Sequence, residues 1–252
     1  MPIRRQFALR AIEAADVKAR SIEPLYVKAL HRLLAAHALA EKLTAQGYQR
    51  ALSSIDNPAI RPILEKNLAE ESRHAALIYG LLAELGVSEI AAERMMITTR
   101  RAPSFEAPRY FAERAEGDLD LVMASLSLDM TGLIMIGVNY QESSYAPHSR
   151  AAEIILDEEA GHDLFAADAL GEAVERFGPE AVSASLREWL PKAVNFFGPP
   201  GSGFSYDCLR FGLKSKDNEE LAELYLTMLE RRLAKVGLAL PALTSSYPHA
   251  LA

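Results

Sequence analysis

Two short stretches of the chain carry the same chemistry. In "LAEESRHAALIYG", residues 68–80, Glu71 precedes His74 by three positions; in "IILDEEAGHDLFAADAL", residues 154–170, Glu159 stands in the same relation to His162. On a helix, residues three apart project from one face, so each pair can reach a single ion. Carboxylate and imidazole donors together suit iron or manganese, with zinc a third option. One Glu-x-x-His is a weak signal, because such pairs arise by chance. Two of them invite a test of position.

Height along the helix axis supplies that test. In a helical hairpin, residues equidistant from the turn lie level, since each helix rises about 1.5 Å per residue. Reflecting Glu71 through Asp56, inside the predicted "IDNP" turn, gives Glu41. Reflecting Glu159 through Ser144, inside "SSYAP", gives Asp129. A carboxylate, a turn and a Glu-x-x-His therefore recur in one register, as Glu41, Glu71, His74 and as Asp129, Glu159, His162. Four carboxylates in an apolar core would repel one another unless cations compensated them, and two divalent ions would do so. These six residues are the candidate ligands of two divalent ions, iron or manganese with zinc possible, in the pattern of di-iron and di-manganese bundles.

The elements that must position them are helical. Period-two strand patterns are unconvincing, and helices are predicted over about 25–54, 61–85, 118–142, 147–177, 180–196 and 217–236. Residues 87–117, with two prolines and a basic pair, read as a long connection, and 196–207 as a loop too short for a domain linker. The expected fold is all-α: a four-helix bundle of two antiparallel hairpins joined by a long crossover, with C-terminal helices added, in one domain spanning 1–252.

A chain of 252 residues, half of them apolar, can bury a large core. Its net charge of −7 disfavours nucleic acid as a partner. A single cysteine, Cys208, excludes an internal disulfide, fits a reducing cytosol and receives no role. The opening "MPIRRQFALRAIEAADVKAR" lacks the continuous apolar run of an export signal, so a cytoplasmic location is expected. The segment "LVMASLSLDMTGLIMIGV", 121–138, approaches the length of a membrane span. Asp129 at its centre favours a helix buried among other helices, and no membrane.

The stretches "HALAE", with His37 and Glu41, "EESRHAALIYG", "SSYAPHSRAAEIILDEEAGH" and "FFGPP" followed by "LAKVGLALP" give the chain a resemblance to the ferritin-like di-iron carboxylate superfamily. Within it, the chain most resembles the phenylacetic acid catabolic proteins, in particular the catalytic subunit of phenylacetyl-CoA epoxidase. The resemblance covers about 30–241. It implies O2 activation with electrons from a separate reductase, and epoxidation or hydroxylation of an aromatic or acyl-CoA small molecule, in an assembly of like or unlike subunits. Asp129 departs from the pattern, since most di-iron families place Glu there.

The same resemblance implies that Glu70 and Glu158 are acids hydrogen-bonding the histidine of the other motif, the alternative being that they face solvent. His37, one turn before Glu41, reads as a core histidine or a donor beside the site. Gly132, Ile136, Phe165 and Ala166 are the candidate walls of a substrate pocket, although helix packing is the ordinary reason for glycines at 132 and 137. Arg73 is read as exposed. Arg100, Arg101, Lys214 and Lys216 could meet CoA phosphates, but such residues are usually solvated. Competing readings are a di-manganese catalase or related oxidase, iron storage, and a scaffold subunit of a multicomponent oxygenase. Six intact ligand positions argue against the scaffold.

Replacing Glu71 or His162 by Ala is expected to abolish metal retention, measured by elemental analysis, while the helical circular dichroism is kept. Unchanged occupancy in both variants would contradict the ligand assignment.

Overall fold

Proline in the first turn starts four of the long helices, where its missing N–H has no intrahelical partner to lose. In the computed structural model, residues 7, 9–19, 21–55, 57–97, 103–114 and 117–243 are described. Among them the helices are α1 Ala14–Lys18, α2 Pro24–Ser54, α3 Arg61–Glu84, α4 Glu89–Met96, α5 Glu106–Arg114, α6 Gly117–Ile134, α7 Ala146–Phe177, α8 Pro179–Phe196, α9 Gly203–Arg210 and α10 Asn218–Lys235. A 3-10 turn, Pro103–Phe105, precedes α5, and a π-helical segment, Met135–Tyr140, extends α6. An isolated bridge between Ile12 and Tyr145 is the extended pairing among the described residues.

Helices α2 and α3 form one hairpin, and α6 and α7 the other. Contacts of α3 with α7 and of α2 with α6 close the four-helix bundle. The fold is ferritin-like, as expected. Helix α8 packs on α5 and α6, α10 leans on α6 and α8, and α9 lies against α2.

The six predicted helices are present with ends shifted by a few residues. The two stretches read as loops are more ordered than expected. The crossover holds α4, whose N-cap Ser88 accepts from the Ala91 N–H at 3.2 Å, and α5, which buries Ala107 and Phe111. The loop 196–207 ends inside α9, capped by Ser202. Short helices of this kind show too few turns for periodicity to reveal them, and their stability comes from packing on the bundle. The predicted helix over 118–142 is α-helical only to Ile134. Beyond it the wider i→i+5 bonding takes over, as in the 3.1 Å bond from the Gln141 N–H to the Ile136 carbonyl.

Residues 117–140 are long and apolar enough to cross a bilayer, but 78% of their most apolar window is buried inside the protein. This is the central helix of the bundle, apolar all round because other helices surround it.

The crossover is fastened at one tight contact. A Cβ added at Gly47 on α2 would stand 2.1 Å from a ring carbon of Phe111 on α5, and the Phe111 ring packs edge-on against Tyr48 at 5.1 Å between centroids. Gly47→Ala is therefore expected to destabilise the protein by about 1–3 kcal/mol through overpacking, despite the better helix propensity of alanine. Urea denaturation would show it; a stability equal to or above that of the wild type would contradict this packing.

Candidate metal centre

Helices α2, α3 and α7 each bring one acid to the centre, and α3 and α7 each turn a histidine toward these acids. Glu41, Glu71, His74 and Glu159 are all buried and offer ligand atoms within 4.8 Å of one another. The level predicted for Glu41 and Glu71 across the first turn is thus what the helices adopt, although the midpoint Asp56 lies outside the described residues. His74 Nδ1 faces Glu159 at 3.5 Å, Glu41 at 3.7 Å and Glu71 at 3.9 Å. His162 Nδ1 faces the other oxygen of Glu71 at 3.4 Å. Glu71 therefore turns one oxygen to each imidazole.

Asp129 is buried but does not join the 4.8 Å group. Its two oxygens accept from the Tyr48 hydroxyl at 3.2 and 3.5 Å, and the Tyr48 ring lies 6.3 Å from that of His162. The π-helical segment lies between Asp129 and the turn and changes rise and rotation, so a reflection that assumes a regular helix loses accuracy on this side. Tyr48, two turns beyond Glu41 on the same face, was not singled out in the sequence, though that spacing was there to be read.

The outer imidazole nitrogens are tied down crosswise. His74 Nε2 donates to Glu158 of α7 at 2.8 Å, and His162 Nε2 donates to Glu70 of α3 at 2.8 Å. Glu70 is buried, and Glu158 is partly covered. Arg73, read as a solvated residue, pairs with Glu158 at 2.6 Å and with Glu70 at 3.7 Å while staying more than half exposed. Behind Glu41, His37 Nε2 donates to its carboxylate at 2.8 Å, and His37 Nδ1 shares a 3.0 Å hydrogen bond with His148 Nε2. His37 is thus a donor beside the cluster, and His148, which received no role in the sequence, backs it.

With both Nε2 atoms engaged, each Nδ1 points into the carboxylates, and both are buried without a hydrogen-bond partner. Ligands about 2.1 Å from one ion at angles near 90–110° stand roughly 3.0–3.5 Å apart. The observed separations approach that spacing, so the donor set fits divalent metal. Gly132 on α6 is part of the fit: a Cβ there would lie 2.7 Å from a Glu159 oxygen. Gly137 likewise admits Leu156, whose side chain would be 3.3 Å from an added Cβ.

The electrostatics agree. Burial, then the charges of Glu159 and Glu41, push the Glu71 carboxyl well above the carboxylate range. Burial acts the same way on Glu41, but the hydrogen bond from His37 and the nearby His74 imidazole outweigh it and hold Glu41 low. Burial alone would depress His74, yet Glu159 and Glu41 beside it hold it up at about 11. Without metal, then, the cluster favours a proton on His74 and makes ionisation of Glu71 harder.

A cavity of about 470 Å3 reaches the cluster from the surface. Arg32, Pro199 and Gly203 at its rim are exposed, while Glu41 and His37 line its inner end. Leu33, Met135, Ile136, Phe105 and Phe197 make its walls mainly apolar. Gly132 and Ile136 line it as expected from the sequence. Phe165, half-buried, and Ala166, buried, do not, because α7 contributes no lining residue and backs the metal cluster from the other side. Lys214 is buried in the cavity wall and Lys216 is exposed and paired with Glu220; Arg100 and Arg101 lie outside the described residues.

A helical bundle with a buried glutamate and histidine cluster able to hold metal defines a ferritin-like protein of the di-iron carboxylate type. The model of the phenylacetic acid catabolic protein family matches residues 23–248, and the chain belongs to that family. Among solved structures, a Synechococcus protein with aldehyde deformylating oxidase activity is similar in fold, with a TM-score of 0.65 at 20% identity over 86% of this chain and 93% of that one. No curated protein matches the sequence. Family and fold support an oxygenase or oxidase in general terms.

Because His74 holds a proton that a metal must displace, metal uptake by the apoprotein is expected to release protons and to weaken as pH falls. Calorimetry in buffers of different ionisation enthalpy would measure this; uptake without proton release would contradict it.

Proposed function

We propose that the protein is a di-iron monooxygenase that uses O2, and electrons from a separate reductase, to epoxidise or hydroxylate an aromatic or acyl substrate. The observation that carries this reading is the apolar cavity ending on Glu41 and His37, beside the buried group of Glu41, Glu71, His74 and Glu159. Iron storage or a scaffold role needs no such chamber. The ligands would be Glu41, Glu71, His74, Asp129, Glu159 and His162; Glu71 turns one oxygen to each imidazole, and Asp129 accepts from Tyr48. Iron bound there supplies the redox chemistry that makes O2 reactive.

The chain's own residues do the rest. Glu158 and Glu70 fix the histidine orientations and leave Nδ1 of each toward the cluster. His37 donates to Glu41 and so directs one of its oxygens away from the cluster. Apolar walls from Leu33, Ile136 and Phe197 keep water from the reacting centre and give an organic substrate its contact surface. On this reading the chain is one unit, with α8 and α10 packed on the bundle and the α8–α9 connection lining the cavity.

Protein purified from iron-supplemented cells is expected to carry roughly two irons per chain. Its chemically reduced form should change optical spectrum on admission of O2. Absence of retained metal and of any spectral response would favour the scaffold reading; manganese with rapid peroxide turnover would favour the catalase reading.

A further inference from the structure

The cavity wall also carries a buried cation with no carboxylate in ion-pair contact among the described residues. Lys214 is 4% exposed. Its ammonium, with three N–H groups to offer, donates to the Asn218 carbonyl oxygen at 2.5 Å and to no second acceptor among the described residues. No carboxylate lies within ion-pair distance of it among the described residues. Asp217 attracts it from further off, but that carboxylate caps α10, accepting from the Glu219 N–H at 2.7 Å. Buried charges are ordinarily paired, because an isolated one is costly to desolvate.

The surroundings hold Lys214 in place. The Asn218 oxygen also accepts from the Ser205 hydroxyl at 3.2 Å, and its amide donates to the Pro199 carbonyl at 2.9 Å. Gly198, with φ of +85°, lets the loop pass Asn218, since a Cβ there would approach the amide nitrogen to 3.1 Å. Lys214, Asn218 and Ser205 all line the cavity. At the rim, the Arg32 guanidinium lies 4.3 Å over the ring of Phe204, the neighbour of Ser205, and it too has no carboxylate partner among the described residues. One cavity therefore carries Arg32 at its exposed rim, the buried Lys214, a mainly apolar wall and, at Glu41 and His37, the edge of the metal cluster.

We propose that the substrate is a free carboxylic acid, its carboxylate received by Lys214 with Arg32 at the entrance and its apolar body directed along the cavity toward Glu41. This deepens the oxygenase reading and rests on it. Burial depresses the Lys214 ammonium, and an incoming carboxylate supplies the missing counter-charge. A CoA thioester is the poorer fit: its acyl carbonyl is neutral, and its hydrated phosphates would have to be stripped of water to reach a lysine buried this deeply.

Calorimetric titration with octanoate, octanamide and octanoyl-CoA, on iron-loaded and on metal-free protein, tests the proposal. Wild-type protein is expected to bind octanoate about tenfold more tightly than octanamide, as a charge-assisted hydrogen bond would give. Lys214→Met should lose that preference and keep octanamide binding, iron content and melting temperature. Arg32→Gln, at an exposed position, should weaken octanoate binding several-fold and fold normally. The preference must persist without metal, which separates it from direct ligation to iron. Equal affinity for acid and amide in the wild type, tightest binding of octanoyl-CoA, no binding of any probe, or a preference retained in a folded Lys214→Met would each overturn the proposal. A Lys214-dependent preference in a protein that holds no iron would instead sink the oxygenase reading and leave the carboxylate site standing.

Discussion

Mutual repulsion among the buried carboxylates of Glu41, Glu71 and Glu159 is the constraint around which this bundle is organised. Such groups cannot all ionise in an apolar interior without compensating positive charge. The protein answers with two imidazoles whose inner nitrogens have no partner other than what the carboxylates enclose. Much else follows from keeping that arrangement: a glycine at 132 so that Glu159 has room, a tyrosine at 48 to hold Asp129, and a histidine pair behind Glu41.

The cavity adds a second polarity. Its lining combines an acidic edge suited to metal, an aliphatic and aromatic surface, and two cations, Arg32 at the rim and the buried Lys214. A site of mixed polarity orients an amphipathic ligand by its ends, because each end is matched by a different part of the wall. The π-helical segment contributes Met135, Ile136 and Tyr140 to this surface, and wide turns of this kind recur at functional sites.

The sequence was legible where helices are regular and long. Glu41 and Glu71 could be placed level because α2 and α3 stay α-helical up to their turn, and the crosswise acids Glu70 and Glu158 occupy the positions that the resemblance implied. Asp129 was harder, since nothing in "LIMIGVNY" announces i→i+5 bonding. A helical face shows which residues point inward but not where neighbouring helices leave a gap, so Gly132 and Ile136 meet the cavity while Phe165 and Ala166 do not. Lys214 and Lys216 look alike in "GLKSKDNEE"; only packing of the α9–α10 connection buries one and exposes the other.

The crossed bonding of the histidines ties the site to the completed architecture. His74 takes its anchor from α7 and His162 takes its anchor from α3, with Arg73 linking the two anchors at the surface. Neither hairpin by itself presents a correctly turned imidazole. A nascent chain that has emerged only as far as its first hairpin therefore offers a flexible, low-affinity set of donors, and commitment to an ion is deferred until both halves have docked.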